Sequence, residues 1–262
     1  MRPADQVDDV WFTGWHGVTD QAGAVTLVCL PHAGAGASVY ARWAPLLPPW
    51  VRLVGVTLPG RESRISEPLL TSVDEVVEHL GPAVSARVQE PFVLFGHSLG
   101  ALIGYELACW LGTHNGAVRP EILVVSGRTA PHHASRPTEI HALDDEAFLI
   151  AMHERYGGIP EALLDNPELR DIFLPSLRGD MSILARYYQS GHILPAGTEL
   201  LVLGAQDDPT TTTDGLHAWS ELTSGSTTIK VFPDGGHFYA QTRALQVTEA
   251  VVNAIVARTT PW

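Results

Sequence analysis

The chain has 262 residues; 45% are hydrophobic and 17% charged, below the ~25% usual for a domain, which excludes a disordered polypeptide. Lys and Arg total 16 against 29 Asp and Glu, so the net charge is −13. With cations this sparse, nucleic acid and anionic membrane surfaces are poor candidates as main partners. Two cysteines, Cys29 and Cys109, make neither a disulfide framework nor a zinc site and point to the cytoplasm. Met1–Val10 is polar and acidic, without the basic and apolar regions of a signal peptide, and no apolar run approaches the ~18 residues of a membrane span. Residues 1–262 are expected to form one domain.

Apolar runs at Val25–Leu30, Val51–Val56, Phe92–Phe95, Ile122–Ser126, Glu199–Leu203 and Thr228–Val231 are short and nearly continuous. Strands buried on both faces of a parallel sheet have this pattern. Helical stretches separate them. Ser72–Val88 opens on a serine cap with Glu75 three residues on, a capping box. Leu99–Leu111 follows a glycine-containing turn, and Asp214–Leu222 and Gln241–Ala257 come last. Such alternation predicts βαβ units and a doubly wound, mostly parallel α/β sheet. From Pro131 to about Pro195 there is no strand pattern. Leu143–Tyr156 begins with Asp144, Asp145 and Glu146, and then Phe148, Met152 and Tyr156 recur every four residues. Pro167–Gln189 carries Leu174, Leu177, Met181 and Leu184 at three- and four-residue spacing. A helical insertion over the C-terminal edge of the sheet is expected across about 131–195.

Gly96-His97-Ser98-Leu99-Gly100 lies between an apolar run and a helical pattern. In that setting G-x-S-x-G is the nucleophile elbow of an α/β-hydrolase. The nucleophile must stand on a strained turn at the sheet edge, and glycines two before and two after leave room for the neighbouring strand and helix. Ser98 needs a base. Among twelve histidines, His237 in Gly235-Gly236-His237-Phe238 follows the last strand and precedes the last helix, as this fold requires. His192 precedes a strand and His217 lies in a helix, so both fit less well. The acid should follow the preceding strand, where Gly204-Ala205-Gln206-Asp207-Asp208-Pro209 stands. Counting Gly-x-x-Asp from Gly204 selects Asp207 and leaves Asp208 as a turn residue before Pro209.

Two backbone amides must hold the oxyanion. Leu99 supplies the one after the nucleophile, and Ala33, in Pro31-His32-Ala33-Gly34-Ala35-Gly36-Ala37, is assigned the other. A nucleotide-binding reading of that loop fails because G-x-G lacks its third glycine. His32 and His97 lie near the site without reaching the Ser98 hydroxyl as well as His237, and His97 is expected to pack. His132-His133 lack a carboxylate or cysteine at metal spacing, so no metal site is expected.

Taken together, Pro31-His32-Ala33-Gly34, Leu58-Pro59-Gly60-Arg61-Glu62, the elbow, Ser126-Gly127-Arg128 with Ala130-Pro131, and Gly235-Gly236-His237-Phe238 resemble a type II thioesterase of polyketide and nonribosomal peptide synthesis. The resemblance runs from Trp11 to the final helix. It implies hydrolysis of acyl groups from the phosphopantetheine arm of acyl or peptidyl carrier proteins, a mobile helical lid, and no cofactor. Ala35 stands where the family has a second glycine, and Asp180-Met181 where it has Asp-Phe. Thr210–Thr213 is a run that only a helix cap explains. Phe148, Met152, Leu177 and Met181 are expected to line or flank an acyl chamber. Arg128, Arg136 and Arg178 are candidates for local contact with an acidic carrier. A cyclising thioesterase or an acyltransferase would use the same triad; the absence of a fused carrier domain in this sequence favours hydrolysis. A non-catalytic binding module is the reading from another class, and the intact Ser, Asp, His order speaks against it.

Overall fold

The computed structural model describes residues 8–15, 24–114, 117–134, 139–159 and 166–259. Strands β1 (Phe12–Trp15), β2 (Val25–Leu30), β3 (Val51–Val56), β4 (Phe92–His97), β5 (Ile122–Ser126), β6 (Glu199–Ala205) and β7 (Thr227–Phe232) form one sheet in the order β1-β3-β2-β4-β5-β6-β7. Every pairing is parallel except that of β1 with β3, where Phe12 faces Val56. The six expected strands are all present, and β4, β6 and β7 run one or two residues further than their apolar cores. β1 was not expected. It is a four-residue edge strand with Thr13 and Gly14 exposed, so it has no apolar run to betray it.

The helices are α1 (Val73–Arg87), α2 (Leu99–Thr113), α3 (Asp145–Tyr156), α4 (Pro167–Arg186), α5 (Thr213–His217), α6 (Tyr239–Thr242) and α7 (Ala244–Thr259). The Ser72 hydroxyl accepts from the Glu75 amide at 3.1 Å, as a cap should, but the Glu75 carboxylate reaches back to the Thr71 amide and hydroxyl rather than to Ser72. Asp214–Leu222 tightens after His217 into a 3-10 turn, and the last helical pattern breaks into α6 and α7.

Alternation along each strand sends side chains into two cores. On β4, Phe92 and Leu94 join the layer containing α1 and α2. Val93 and Phe95 join the opposite layer, with Tyr40, Trp43 and α7. Phe95 is fully buried with the Trp43 ring edge-on at 4.8 Å; covering such a side chain is worth about 1.5–3 kcal/mol. This two-sided burial explains why the strands are continuously apolar.

Between β5 and β6, the described residues hold a 3-10 turn, α3, α4 and an isolated bridge between Leu194 and Thr223, but no sheet strand. Phe148, Met152, Leu174, Leu177, Met181 and Leu184 pack into the α1 and α2 layer. Because the chain visits β3 before returning to β4 beside β2, the loops leaving β2 and β4 part at a common crevice, the usual place for a site in such sheets. No helix among the described residues is long and apolar enough to cross a membrane.

Candidate active site

Ser98 links β4 to α2 with φ 55 and ψ −111, a strained conformation for a residue with a side chain. Its amide donates to the Ser126 carbonyl at 2.8 Å, tying the elbow to β5. A Cβ on Gly96 would stand 2.1 Å from the Gly100 carbonyl oxygen, and one on Gly100 2.2 Å from that of Leu30. Both glycines are therefore steric requirements, as the motif implies.

His237 Nε2 lies 3.0 Å from Ser98 Oγ. Behind the ring, Nδ1 meets both oxygens of Asp208, at 3.2 and 3.1 Å. This corrects the sequence assignment of Asp207. The cause is a turn: β6 continues to Ala205, and the Asp208 amide closes back on the Ala205 carbonyl at 3.3 Å. Asp207 then points outward, exposed, and accepts the Gly236 and Gly235 amides at 2.9 and 3.1 Å. Asp208, 3% exposed, turns inward to the ring. The first aspartate holds the loop and the second holds the imidazole. Burial alone would raise the Asp208 carboxyl, but its bonds to His237 and Thr210 outweigh that and set it below the ordinary aspartate value.

Thr210 is a functional neighbour that the motifs missed. Its hydroxyl donates to Asp208 at 2.7 Å and sits 3.0 Å from His237 Nδ1, while its amide donates to the same carboxylate at 2.9 Å. The threonine run held the signal: Thr210 serves the acid, and Thr212 caps α5 by accepting from Gly215 at 3.0 Å.

In the loop after β2, the Gly34 amide is taken by Asp180 at 2.8 Å and the Ala35 amide by the His32 carbonyl at 3.2 Å. Among the described residues the Ala33 and Leu99 amides have no protein acceptor, which leaves both available to an oxyanion. The motif after β3 holds this loop. Arg61 donates to the Ala35 carbonyl and pairs with Asp180, and Glu62, at φ 47, accepts from the Ser38 amide at 3.1 Å. Ala35 has no left-handed φ, so a residue with a side chain fits this place in the loop without backbone strain.

His97 is fully buried, with Nε2 2.8 Å from the His237 carbonyl and Nδ1 3.0 Å from the Ser126 hydroxyl, itself 2.5 Å from the Tyr239 hydroxyl. Burial pushes its pKa well below the ordinary value, so the ring is neutral. A carbonyl only accepts, which places the hydrogen on Nε2. His97 thus props the histidine loop as well as packing. The His32 ring stands edge-on to His97 and Phe238, lowered to about 3 by burial and by nearby His237. His192 faces Glu106, and His217 ends α5.

Two spaces adjoin Ser98. A cavity of about 380 Å³ is lined by Ser98, Arg128, Thr129, Arg155, Thr210 and His237, among others. On the other side, Met152, Met181, Leu184 and Phe238 leave only about 20 Å³ beside Ala33. Of the four expected chamber residues, Met152 and Met181 line that slot. Leu177 packs over Gly34, and Phe148 is fully buried under the Arg178 guanidinium, 4.4 Å from the ring centre. Arg178 is committed to Asp145 and to the His141 and Leu143 carbonyls. Arg136 lies outside the described residues. His132 meets Glu221 at 3.1 Å, and with His133 these ligand atoms fall within 4.8 Å of one another, so a carboxylate that the local spacing lacked arrives from a distant segment.

Sheet order, elbow and the Ser, Asp, His succession define an α/β-hydrolase. A lipase-esterase related protein of Clostridium acetobutylicum shares the fold, with a TM-score of 0.68 at 14% identity over 92% of this chain and 98% of that one. The chain belongs to the thioesterase family, whose domain model matches residues 25–258. It is 38% identical to the thioesterase PikA5 of Streptomyces venezuelae, over 91% of this chain and 83% of that protein. It is 34% identical to the gramicidin S biosynthesis protein GrsT of Aneurinibacillus migulanus, over 87% of each. The type II thioesterase BorB of the borrelidin biosynthetic cluster superposes with a TM-score of 0.79 at 32% identity, covering 94% of this chain and 96% of that one. These relatives are named as thioesterases, BorB as a type II one, or as a biosynthesis protein, and do not favour the cyclase or acyltransferase alternative.

Proposed function

We propose that this protein hydrolyses acyl thioesters carried on the phosphopantetheine arm of acyl or peptidyl carrier proteins in polyketide or nonribosomal peptide synthesis. Ser98 attacks the thioester carbonyl while His237 Nε2 takes its proton. The Ala33 and Leu99 amides receive the oxyanion, and Asp208 holds the imidazolium. Collapse expels the carrier thiol, protonated by His237, and leaves an acyl-serine. Water, deprotonated by His237, then releases the acid and restores Ser98. No step calls on a metal or an organic cofactor. The observation that carries this reading is the 3.0 Å contact of Ser98 with His237 backed by buried Asp208. The helical segment over the site serves as its lid, within one catalytic domain spanning residues 1–262. Unpaired, buried Cys29 and Cys109 suit a cytoplasmic setting, where carrier proteins act.

The test is acid release from a panel of acyl-carrier thioesters. The wild type should turn them over, and Ser98→Ala should lose on the order of 10⁴-fold or more with its melting curve kept. Equal turnover by the variant, or hydrolysis confined to oxygen esters, would overturn the reading.

A further inference from the structure

The cavity beside Ser98 is lined by a cation, Arg128, that makes no ion pair among the described residues. Arg128 stands two residues beyond Ser126, whose carbonyl accepts the Ser98 amide, so it enters the cavity close to the nucleophile. Its guanidinium makes no ion pair or hydrogen bond among the described residues, and its Nε is sealed from solvent without a partner. Only its carbonyl is engaged, by Trp219 Nε1 at 2.7 Å. Arg61 and Arg64, which unlike half-buried Arg128 are fully buried, pair with Asp180 and Glu67. Arg128 instead is faced by the Tyr156 and Tyr187 phenols and by a second cation, Arg155, while Glu154 on the cavity wall makes no pair with it. Arginine stays charged, and this half-buried guanidinium, its Nε sealed and its two outer nitrogens open to the cavity, is a fork that no acceptor among the described residues has claimed.

Resting on the thioesterase reading above, we propose that Arg128 receives a carboxylate on the acyl group, and that the preferred substrates are carboxyacyl thioesters, half-thioesters of short dicarboxylic acids. The thioester carbonyl sits at the Ala33 and Leu99 amides, and the distal carboxylate takes the guanidinium fork in a charge-assisted pair. Space agrees with charge. The open volume at Ser98 is on the Arg128 side, with threonines in its wall, and the apolar slot under Met152 and Met181 is nearly closed. The phosphate of the carrier arm is the other available anion. It lies the whole length of the arm from the carbonyl, whereas Arg128 follows the strand bonded to the elbow.

The experiment compares kcat/KM for succinyl and butyryl thioesters of N-acetylcysteamine, which lack phosphate. The wild type should favour succinyl by roughly tenfold or more, and Arg128→Gln should cut that ratio by about the same factor while Arg128→Lys keeps most of it. An unchanged ratio in Arg128→Gln, or a wild-type preference for butyryl, overturns the proposal. A loss seen only when the acyl group rides on phosphopantetheine assigns Arg128 to the phosphate and equally overturns it. A second readout needs no turnover: succinate should slow fluorophosphonate labelling of wild-type Ser98 far more than succinamide, its uncharged counterpart, does. Equal protection overturns the anion site even if Arg128→Gln fails to fold. Should the wild type hydrolyse no thioester at all, the function proposed above falls, and the labelling still decides the role of Arg128.

Discussion

Asp180, on α4, and Arg61, on the turn after β3, form a buried two-pronged pair at 2.5 and 2.8 Å. The same carboxylate accepts the Gly34 amide at 2.8 Å, so the helix over the site is fastened to the loop that bears Ala33. Removing one partner strands the other charge in the interior. Asp180→Ala should cost about 3–5 kcal/mol in urea unfolding, and the double variant Arg61→Met, Asp180→Leu should recover most of it. A loss below about 1 kcal/mol in the single variant would show that the pair is not sealed.

The two neighbouring aspartates should separate kinetically. Asp208→Asn mis-sets the His237 tautomer and should lower kcat by about 10³–10⁴. Asp207→Asn keeps an acceptor for one of the Gly235 and Gly236 amides, leaves the imidazole untouched, and should cost less than about tenfold. The reverse order of effects would restore Asp207 as the acid.

Gly100→Ala drives a methyl to 2.2 Å from the Leu30 carbonyl and should destabilise the fold or prevent it. Gly14→Ala, with nothing within 4 Å, should leave the melting temperature nearly unchanged. Similar melting temperatures for the two would mean that β2 and α2 part more readily than their contact implies.

The elbow, the histidine loop and the oxyanion loop were legible because their constraints are local: a strained turn, flanking glycines, a place after a strand. The acid was not. Counting from Gly204 sets distance along the chain but not rotation, and the turn from Ala205 to Asp208 rotates Asp207 to solvent. Arg61 and Asp180 are 119 residues apart, so no spacing rule joins them. Arg128 stood out only as a cation near the lid; that it lacks a partner is a property of packing.

Acid should expose the buried His97. Unfolded, it takes up a proton as pH falls through about 6.5; folded, it does so only well below. The unfolded chain therefore binds more protons, and the stability the neutral ring confers, complete above pH 6.5, drains away as pH falls. Between pH 6 and 5 this ring should contribute a loss on the order of 1 kcal/mol. Urea midpoints across that range should fall more steeply for the wild type than for His97→Gln, and parallel curves would contradict the assignment.

The direction of the hydrogen bonds around His97 has a consequence for proton traffic. Tyr239 donates to Ser126, Ser126 to His97, and His97 to the His237 carbonyl, a sink with no hydrogen to pass on. The relay runs one way and ends on backbone, so it is an insulator rather than a wire. This chain of bonds therefore gives the proton lifted from Ser98 no path away from the imidazole, which favours its delivery to the departing thiol.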